Sequence, residues 1–557
     1  MHRAEGFRIF LVFIAILAIT YYFARLDPDW HHDGIMFKPA VDVAAGLILF
    51  KETFTQYGAL TTYLQAGAIS LFGEHLIVLR LQATLFLSLA GVLFYLVVSR
   101  ATSSLVALLS TGIWVLMSPY MVSVFLPWSS IYALFFCLLA ALLITLDIVI
   151  LSQHRFRSLL PFFAGLFFSA AFWARQPYGV VFPVVLLHLG VLGLCKDHKM
   201  SDLFRSGVSL SSGFITGLLL MLFWLWSEGA LRDWWLQSIL GAQTFAESTN
   251  TTSGVVIHLV ESLFPDPKRV LAASGSWVWT ILPALNLAIL VFLALFAAFR
   301  KCLSDQQKVL LVLALLGVGT WHQYYPVLSV AHTFFGATPM FATVIVAAFL
   351  SVKKVSPHVY RLPLIAGFLA LLFGYDVLYR VESGIKIYPK FQIEFPTLEG
   401  MRFSNQFVER SIRYPGTEAQ YFANLGQFGQ FLAKLRTLDR DITLLSITED
   451  AFLPTLFPSN NPHKITVWWH WAHKMYPDHR NRVREFIAIQ RPLIEIKTKR
   501  WGWESVPWVD PESPQRADLG FSDYEPIFET DYSDSGISQI LAPPEFIARF
   551  KADVEHN

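Results

Sequence analysis

The chain has 557 residues, 54% of them hydrophobic and 15% aromatic, with only 15% charged and a mean hydropathy of +0.49. Soluble proteins carry about 25% charged residues, so this composition excludes an ordinary soluble enzyme, a disordered chain and a nucleic-acid binder built on a basic surface. A net charge of +2 gives no overall attraction to acidic partners. Three cysteines cannot form a disulfide framework, and Cys137, Cys195 and Cys302 all fall in or beside apolar segments.

Charge is unevenly spread along the chain. Of 43 Lys and Arg and 41 Asp and Glu, the last 177 residues hold 20 and 24. The chain therefore divides near Arg380 into a transmembrane region, 1–380, and a water-exposed domain, 381–557.

A spanning helix needs about 20 mainly apolar residues. Segments that meet this begin near residues 8, 77, 104, 128, 159, 178, 207, 277, 306, 334 and 361, giving about eleven spans. The first, Arg8 to Ala24, has Tyr21-Tyr22-Phe23 where a signal peptide would need small residues, so it reads as a span. Between spans, every second connection is basic: Arg3 and Arg8, Arg100, Arg155 and Arg157, Lys196 to Arg205, Arg300 to Lys308, and Lys353 to Arg361. The positive-inside rule places these in the cytoplasm, and an odd number of spans then puts the C-terminal domain outside. A bacterial inner membrane is the expected location.

The long outer connections are residues 25–76 and 227–276. In the first, Pro39–Phe50 and Leu60–Phe72 show helical apolar spacing and predict two helices lying on the membrane surface. Asn250-Thr251-Thr252 fits a glycosylation sequon. In the tail, Ile442–Ile447 and Lys464–Trp469 predict strands, and Gln406–Ile412, Ala419–Leu435 and His479–Gln490 predict helices, which together suggest a small α/β domain. The sequence contains no Gly-rich phosphate loop, nucleotide fingerprint or serine elbow, and no internal repeat.

Three polar clusters could carry chemistry. The densest follows the first span: Asp27-Pro28-Asp29-Trp30-His31-His32-Asp33-Gly34. Ionised groups packed at a membrane edge are costly, and a partly desolvated carboxylate there suits a general base. The histidines and Asp33 are also metal-ligand types, but adjacent residues point apart, so the cluster gives no support for a divalent cation. The second is Trp173-Ala174-Arg175-Gln176-Pro177-Tyr178-Gly179, between two spans. Arg175 there either snorkels to headgroups or forks onto phosphate oxygens. The third is Trp321-His322-Gln323-Tyr324-Tyr325-Pro326 with His332 and Pro339. The tail's Trp468-Trp469-His470-Trp471 could stack a sugar or rest on the membrane.

With these residues in view, the chain resembles the GT-C-fold integral-membrane glycosyltransferases, the group that includes protein mannosyltransferases and the aminoarabinose transferase of lipid A. The resemblance lies in one span followed by an outer loop with His32-Asp33-Gly34, then Ala45-Gly46, Phe54-Thr55-Gln56-Tyr57-Gly58-Ala59-Leu60 and Phe72-Gly73 to Leu79-Arg80-Leu81. Arg175 to Gly179, and Tyr325-Pro326 with His332 and Pro339, resemble later elements. It implies a polytopic α-helical fold of GT-C type with an extracytoplasmic tail. It also implies an inverting transfer of sugar from a polyprenyl-phosphate donor to a lipid, glycan or protein acceptor, with no cofactor required and no nucleic-acid partner. The family's catalytic position falls on Asp33, with Asp29 and Asp27 as rivals, because Gly34 stands where many relatives have a second acidic residue. Arg175, Gln176, His332, Tyr325, Lys38 and His32 are the expected contacts to lipid phosphate or sugar. The principal alternative is a lipid or glycan transporter, which predicts charged, broken helices near mid-membrane and two repeated halves.

Overall fold

The protein is described from a computed structural model, which covers residues 2–29, 32–149, 159–196, 199–241, 268, 271, 276–324, 329–392, 395–407, 431, 434–435, 442–447, 479–497, 514–531 and 537–556. All eleven expected spans are helical. They are α1 (His2–Ala24), α4 (Leu76–Ala101), α5 (Ser104–Leu116), α6 (Ser129–Val149), α7 (Leu159–Ala174), α8 (Val181–Gly193) and α9 (Met200–Ser227), then Val278–Arg300, Asp305–Trp321, Val330–Val355 and His358–Ile385. Among the described residues, eight helical segments are long and apolar enough to cross a membrane, α8 counting together with the 3₁₀ turn before it. The shorter helices are α5, α7 and Asp305–Trp321, of 13, 16 and 17 residues. At 1.5 Å per residue, α5 covers about 20 Å of a hydrocarbon layer about 30 Å thick. A 3₁₀ turn, Pro119–Met121, and then irregular backbone follow it, and protein covers that stretch, with Tyr120, Met121 and Phe125 buried. Irregular backbone at such depth is stable only when enclosed in this way.

The Val330–Val355, α4 and α6 helices form the centre of the bundle, while α9 and His358–Ile385 present most of their apolar windows outward. Phe204, Phe223, Phe299 and Leu371 stand exposed on that outer surface, which suits lipid rather than water. Helices α7 and α9 touch closely: a Cβ on Gly213 would lie 1.8 Å from the Phe162 carbonyl oxygen. Small residues of this kind allow membrane helices to approach backbone to backbone. Three of the basic connections meet at one end of the bundle. There the Lys196 amide donates to the Lys301 carbonyl at 2.9 Å, and Lys353 reaches Gln306 at 2.9 Å.

At the opposite end, two further helices precede α4: α2 (His32–Ala44) and α3 (Ala59–Phe72). The α3 range agrees with the sequence reading. The α2 range corrects it, since the expected helix Pro39–Phe50 begins seven residues earlier and stops at Ala44. Asp29 caps its start by accepting the His32 amide. Gly46 at φ +95° reverses the chain beyond its end, where the Leu47 amide returns to the Asp42 carbonyl at 3.0 Å. Nor does α2 lie open on the membrane surface: Asp33 to Ala40 are all buried.

The tail domain covers it. Strands β3 (Leu444–Ser446), β4 (Leu493–Lys497), β5 (Glu525–Asp531) and β6 (Ile537–Ala542) form a sheet in the order β3-β4-β6-β5, after a small hairpin of β1 (Pro389–Gln392) and β2 (Arg402–Ser404). Pairing is parallel for β3 with β4 and antiparallel for the rest. Period-two alternation gives the sheet two apolar faces. Leu444, Leu493 and Ile540 pack with Phe37, Ala40, Ile69, Leu76 and Leu79, whereas Leu445, Ile494 and Leu541 pack under Val483 and Ile487 of the helix His479–Gln490. That helix and β3 fall where the sequence placed them. The expected strand Lys464–Trp469, the helix Ala419–Leu435 apart from residues 431, 434 and 435, and most of Gln406–Ile412 lie outside the described residues.

Hydrogen bonds tie the tail to the first loop. The Asp27 carboxylate accepts from the Ser404 amide at 2.7 Å and its hydroxyl at 2.6 Å, and the Arg402 amide donates to the Arg25 carbonyl at 2.8 Å. Replacing Asp27 by Ala leaves the Ser404 amide and hydroxyl without that acceptor, a loss of about 1–3 kcal/mol per buried group. We expect Asp27→Ala to speed proteolysis of residues beyond 390 in detergent while the bundle fragment stays intact, as read by timed digestion and mass spectrometry.

Candidate active site

The three aspartates that follow the first span, Asp27, Asp29 and Asp33, meet three different fates. Asp27 is bonded to Ser404, as above. Asp33 is fully buried and paired with Arg80, which is also fully buried. Arg80 Nε donates to Asp33 Oδ1 at 3.2 Å, and its Nη2 to Asp33 Oδ2. The same guanidinium reaches the carbonyl oxygens of Ala24 at 3.3 Å, Leu26 at 2.7 Å and Asp27 at 3.0 Å. Burial raises the Asp33 carboxyl above its usual range, and Arg80 opposes that shift. Asp33 Oδ2 also accepts the Asp29 amide at 2.8 Å. Asp33 thus fixes the backbone on which Asp29 sits.

Asp29 itself, with 17% of its side chain exposed, accepts from His32 Nδ1 at 3.2 Å. It lies within electrostatic reach of Tyr57, which is buried. Burial pushes the Tyr57 hydroxyl up, Arg175 pulls it down and Asp29 raises it. The guanidinium of Arg175 stands 5.8 Å from the centre of the Tyr57 ring, a cation–π distance. His32 in turn lies 5.8 Å from Trp128, and Trp128 stacks on His332 with centroids 4.9 Å apart and planes 19° from parallel.

Arg175 is the hub of this cluster. Its Nη1 donates to Ser129 Oγ at 3.1 Å and its Nη2 to His332 Nε2 at 3.0 Å. Burial pulls its pKa down, with Tyr57 and Tyr178 opposing. His322 is close enough for Arg175 to act on it, and burial first, then Arg175, push its pKa down to about 4. Gly58 makes the approach of the first loop possible, because a Cβ there would sit 2.1 Å from the Trp173 carbonyl oxygen. Gln176 Nε2 donates to the Tyr57 carbonyl at 3.2 Å, and Thr61 Oγ1 to the Ala174 carbonyl at 2.9 Å.

Several buried polar atoms around this hub have no hydrogen-bond partner among the described residues: Arg175 Nε, Trp128 Nε1, Ser130 Oγ, Tyr178 Oη and Gln65 Oε1. Buried polar groups nearly always find partners; the Gln65 oxygen only accepts, but the other four atoms can donate, and beside one guanidinium they suit an anionic, oxygen-rich ligand.

The structure therefore brings Asp29, His32, Arg175, Gln176 and His332 together and keeps Asp33 directly behind Asp29. It does not bring Lys38 to them: Lys38 is buried in an ion pair with Asp42, which also accepts from Thr53 Oγ1 at 2.7 Å. Tyr325 lies outside the described residues. Sequence reasoning passed over Tyr57, Trp128 and Ser129 as site residues. Among the described residues, no three His, Cys, Asp or Glu stand close enough to hold a metal ion.

In class, the chain is a polytopic α-helical membrane protein, with a polar site at the junction of its bundle and a C-terminal α/β domain. No family model and no curated protein matches the chain. Among solved structures it is similar to the oligosaccharyltransferase of Archaeoglobus fulgidus. With the zinc- and sulfate-bound form the identity is 14% and the TM-score 0.40, over 67% of this chain and 53% of that one. With the apo form the values are 13% and 0.42, over 68% and 56%. With the archaeal oligosaccharyltransferase AglB from the same organism, in complex with an inhibitory peptide and a dolichol-phosphate, they are 13% and 0.40, over 68% and 56%. The chain spans a little over half the length of those proteins.

Removing one partner of a buried ion pair costs about 3–5 kcal/mol. Arg80→Leu and Asp33→Asn are each expected to lower the thermal midpoint of the purified protein markedly. Asp29→Asn, at a partly exposed position, is expected to shift it far less, as measured by nanoscale fluorimetry in one detergent.

Proposed function

We propose that the chain is a membrane glycosyltransferase that moves a sugar from a polyprenyl-phosphate donor to a hydroxyl acceptor at the tail side of the membrane. The observation that carries this reading is the half-buried Arg175 fork, whose buried Nε stands beside other buried donors without a partner among the described residues, within one cluster with the Asp29 carboxylate. A guanidinium matches phosphate oxygens in geometry and charge. A carboxylate nearby is what an inverting transfer to a hydroxyl requires. The charge pattern of the connections makes the tail side extracytoplasmic, and a bacterial inner membrane fits that orientation.

In this scheme Asp29 is the base. It takes the proton from the acceptor hydroxyl as that oxygen bonds to the anomeric carbon. The bond from the anomeric carbon to the phosphate oxygen breaks, and its electron pair leaves with the polyprenyl phosphate, whose charge Arg175 stabilises. Configuration at the anomeric carbon inverts. Asp33 and Asp27 are engaged by Arg80 and Ser404, which is why Asp29 takes the role. His32 donates from Nδ1 to Asp29 and orients its carboxylate. Trp128 and Tyr57 supply aromatic faces for a sugar ring. The scheme routes no step through a nucleotide, metal or other cofactor.

The test uses purified full-length protein in nanodiscs with radiolabelled polyprenyl-phosphate sugars, reading transfer or slow hydrolysis. Asp29→Asn is expected to lower turnover about 100-fold or more, the scale of general-base loss, without raising the KM for donor. Arg175→Ala is expected to raise donor KM and lower turnover as well. Full activity in folded Asp29→Asn would transfer the base to another carboxylate. A wild-type protein that binds and moves the intact donor without cleaving it would establish a transporter instead.

A further inference from the structure

We infer that His332 is a positioning residue that aims Arg175, rather than a direct contact to the donor's phosphate. This rests on the donor site proposed above and departs from the sequence reading, which grouped His332 with the phosphate contacts.

The argument begins from what a guanidinium can do. Arginine carries five donors and no acceptor, and keeps its charge in proteins. The 3.0 Å contact from Arg175 Nη2 to His332 Nε2 therefore makes Nε2 the acceptor. The imidazole is then neutral, with its proton on Nδ1. A phosphate oxygen also only accepts, so Nε2 in this state offers it nothing. What Nε2 does offer is a single lone pair in the plane of the ring, which fixes where Arg175 Nη2 points.

That direction is itself fixed. Ser329 caps the Val330–Val355 helix and accepts the His332 amide at 3.3 Å, so His332 sits in the helix's first turn. The imidazole lies flat on Trp128, 4.9 Å between centroids. On the other side, Ser129 holds Arg175 Nη1 at 3.1 Å and the Tyr57 ring lies under the guanidinium. Nη1 and Nη2 are each held by one bond, and Nε is the guanidinium nitrogen that is buried without a partner among the described residues. Ser129 and His332 thus act as a two-point rest for the fork. Trp128, next to Ser129 in sequence, couples the two points.

A double-mutant cycle decides the matter. Binding of a short-chain polyprenyl phosphate to the full chain in nanodiscs is measured for wild type, Arg175→Ala, His332→Ala, the double variant and His332→Gln, with thermal midpoints recorded for each. We expect His332→Ala to weaken binding about tenfold, and to add less than about twofold once Arg175 is already Ala. His332→Gln, whose amide oxygen can accept from Arg175, is expected to recover binding to within about threefold of wild type. Additive losses in the double variant would make His332 a direct phosphate contact and overturn the inference. So would a folded His332→Gln as weak as His332→Ala, or a His332→Ala that binds normally while Arg175→Ala does not. If Arg175→Ala itself leaves binding unchanged, the donor site is misplaced and both readings fall together.

Discussion

One guanidinium holds the functional end of this molecule together. Arg80 projects from the first turns of α4 into a fully buried position, where every N–H must find an acceptor or cost the fold dearly. It finds them in both oxygens of Asp33 and in three carbonyls from the end of α1 and the connection beyond it. The first span, the loop and the start of α2 are thereby fixed to α4. Asp27, one of the residues whose carbonyl is held, turns its carboxylate to Ser404 and so determines where the tail docks. Asp29 hangs between them, its amide bonded to Asp33. A buried pair of this kind adds little net stability compared with apolar packing, but breaking it strands a charge. Its contribution is geometric.

On that frame the site is assembled from five separate stretches of chain: Asp29 and His32, Tyr57, Trp128 with Ser129, Arg175, and His332. The two hydrogen bonds that hold Arg175 close long loops in sequence, of 46 residues to Ser129 and 157 to His332. The bundle provides rigid ends for these stretches, and the loop α2–α3 is pressed against Trp173 and Ala174 through Gly58 and Thr61. The tail sheet seals α2 from above. A charge-bearing ligand entering here would meet the fixed Arg175 cation in a partly dehydrated setting, where its electrostatic effect is greater than in water.

Much of this was legible in the sequence, for identifiable reasons. Spans follow from about 20 apolar residues in a row, a local signal that survives without any knowledge of packing. The three polar clusters were also visible, since Asp29, Arg175 and His332 stand out against an apolar background. What distinguishes Asp27, Asp29 and Asp33 was not visible, because it depends on partners 377 residues away for Asp27 and 47 for Asp33. Lys38 stood out as a candidate for the same reason as Arg175, yet its partner Asp42 is one helical turn along and absorbs it. Tyr57, Trp128 and Ser129 are ordinary residue types in an aromatic-rich chain, and only their convergence on Arg175 marks them. The start of α2 differs because apolar spacing alone set the expected bounds, whereas Asp29 caps a helix that starts at His32, seven residues before Pro39 begins that pattern.

The most direct test is a cryo-electron microscopy map of the full chain in nanodiscs with a short-chain polyprenyl phosphate. The account predicts phosphate density with an oxygen about 2.7–3.2 Å from Arg175 Nε, on the side facing Asp29, with His332 still bonded to Arg175 and the prenyl tail leaving between helices. Phosphate density centred elsewhere, on Lys38 or Arg380 for example, with Arg175 unchanged, would contradict it.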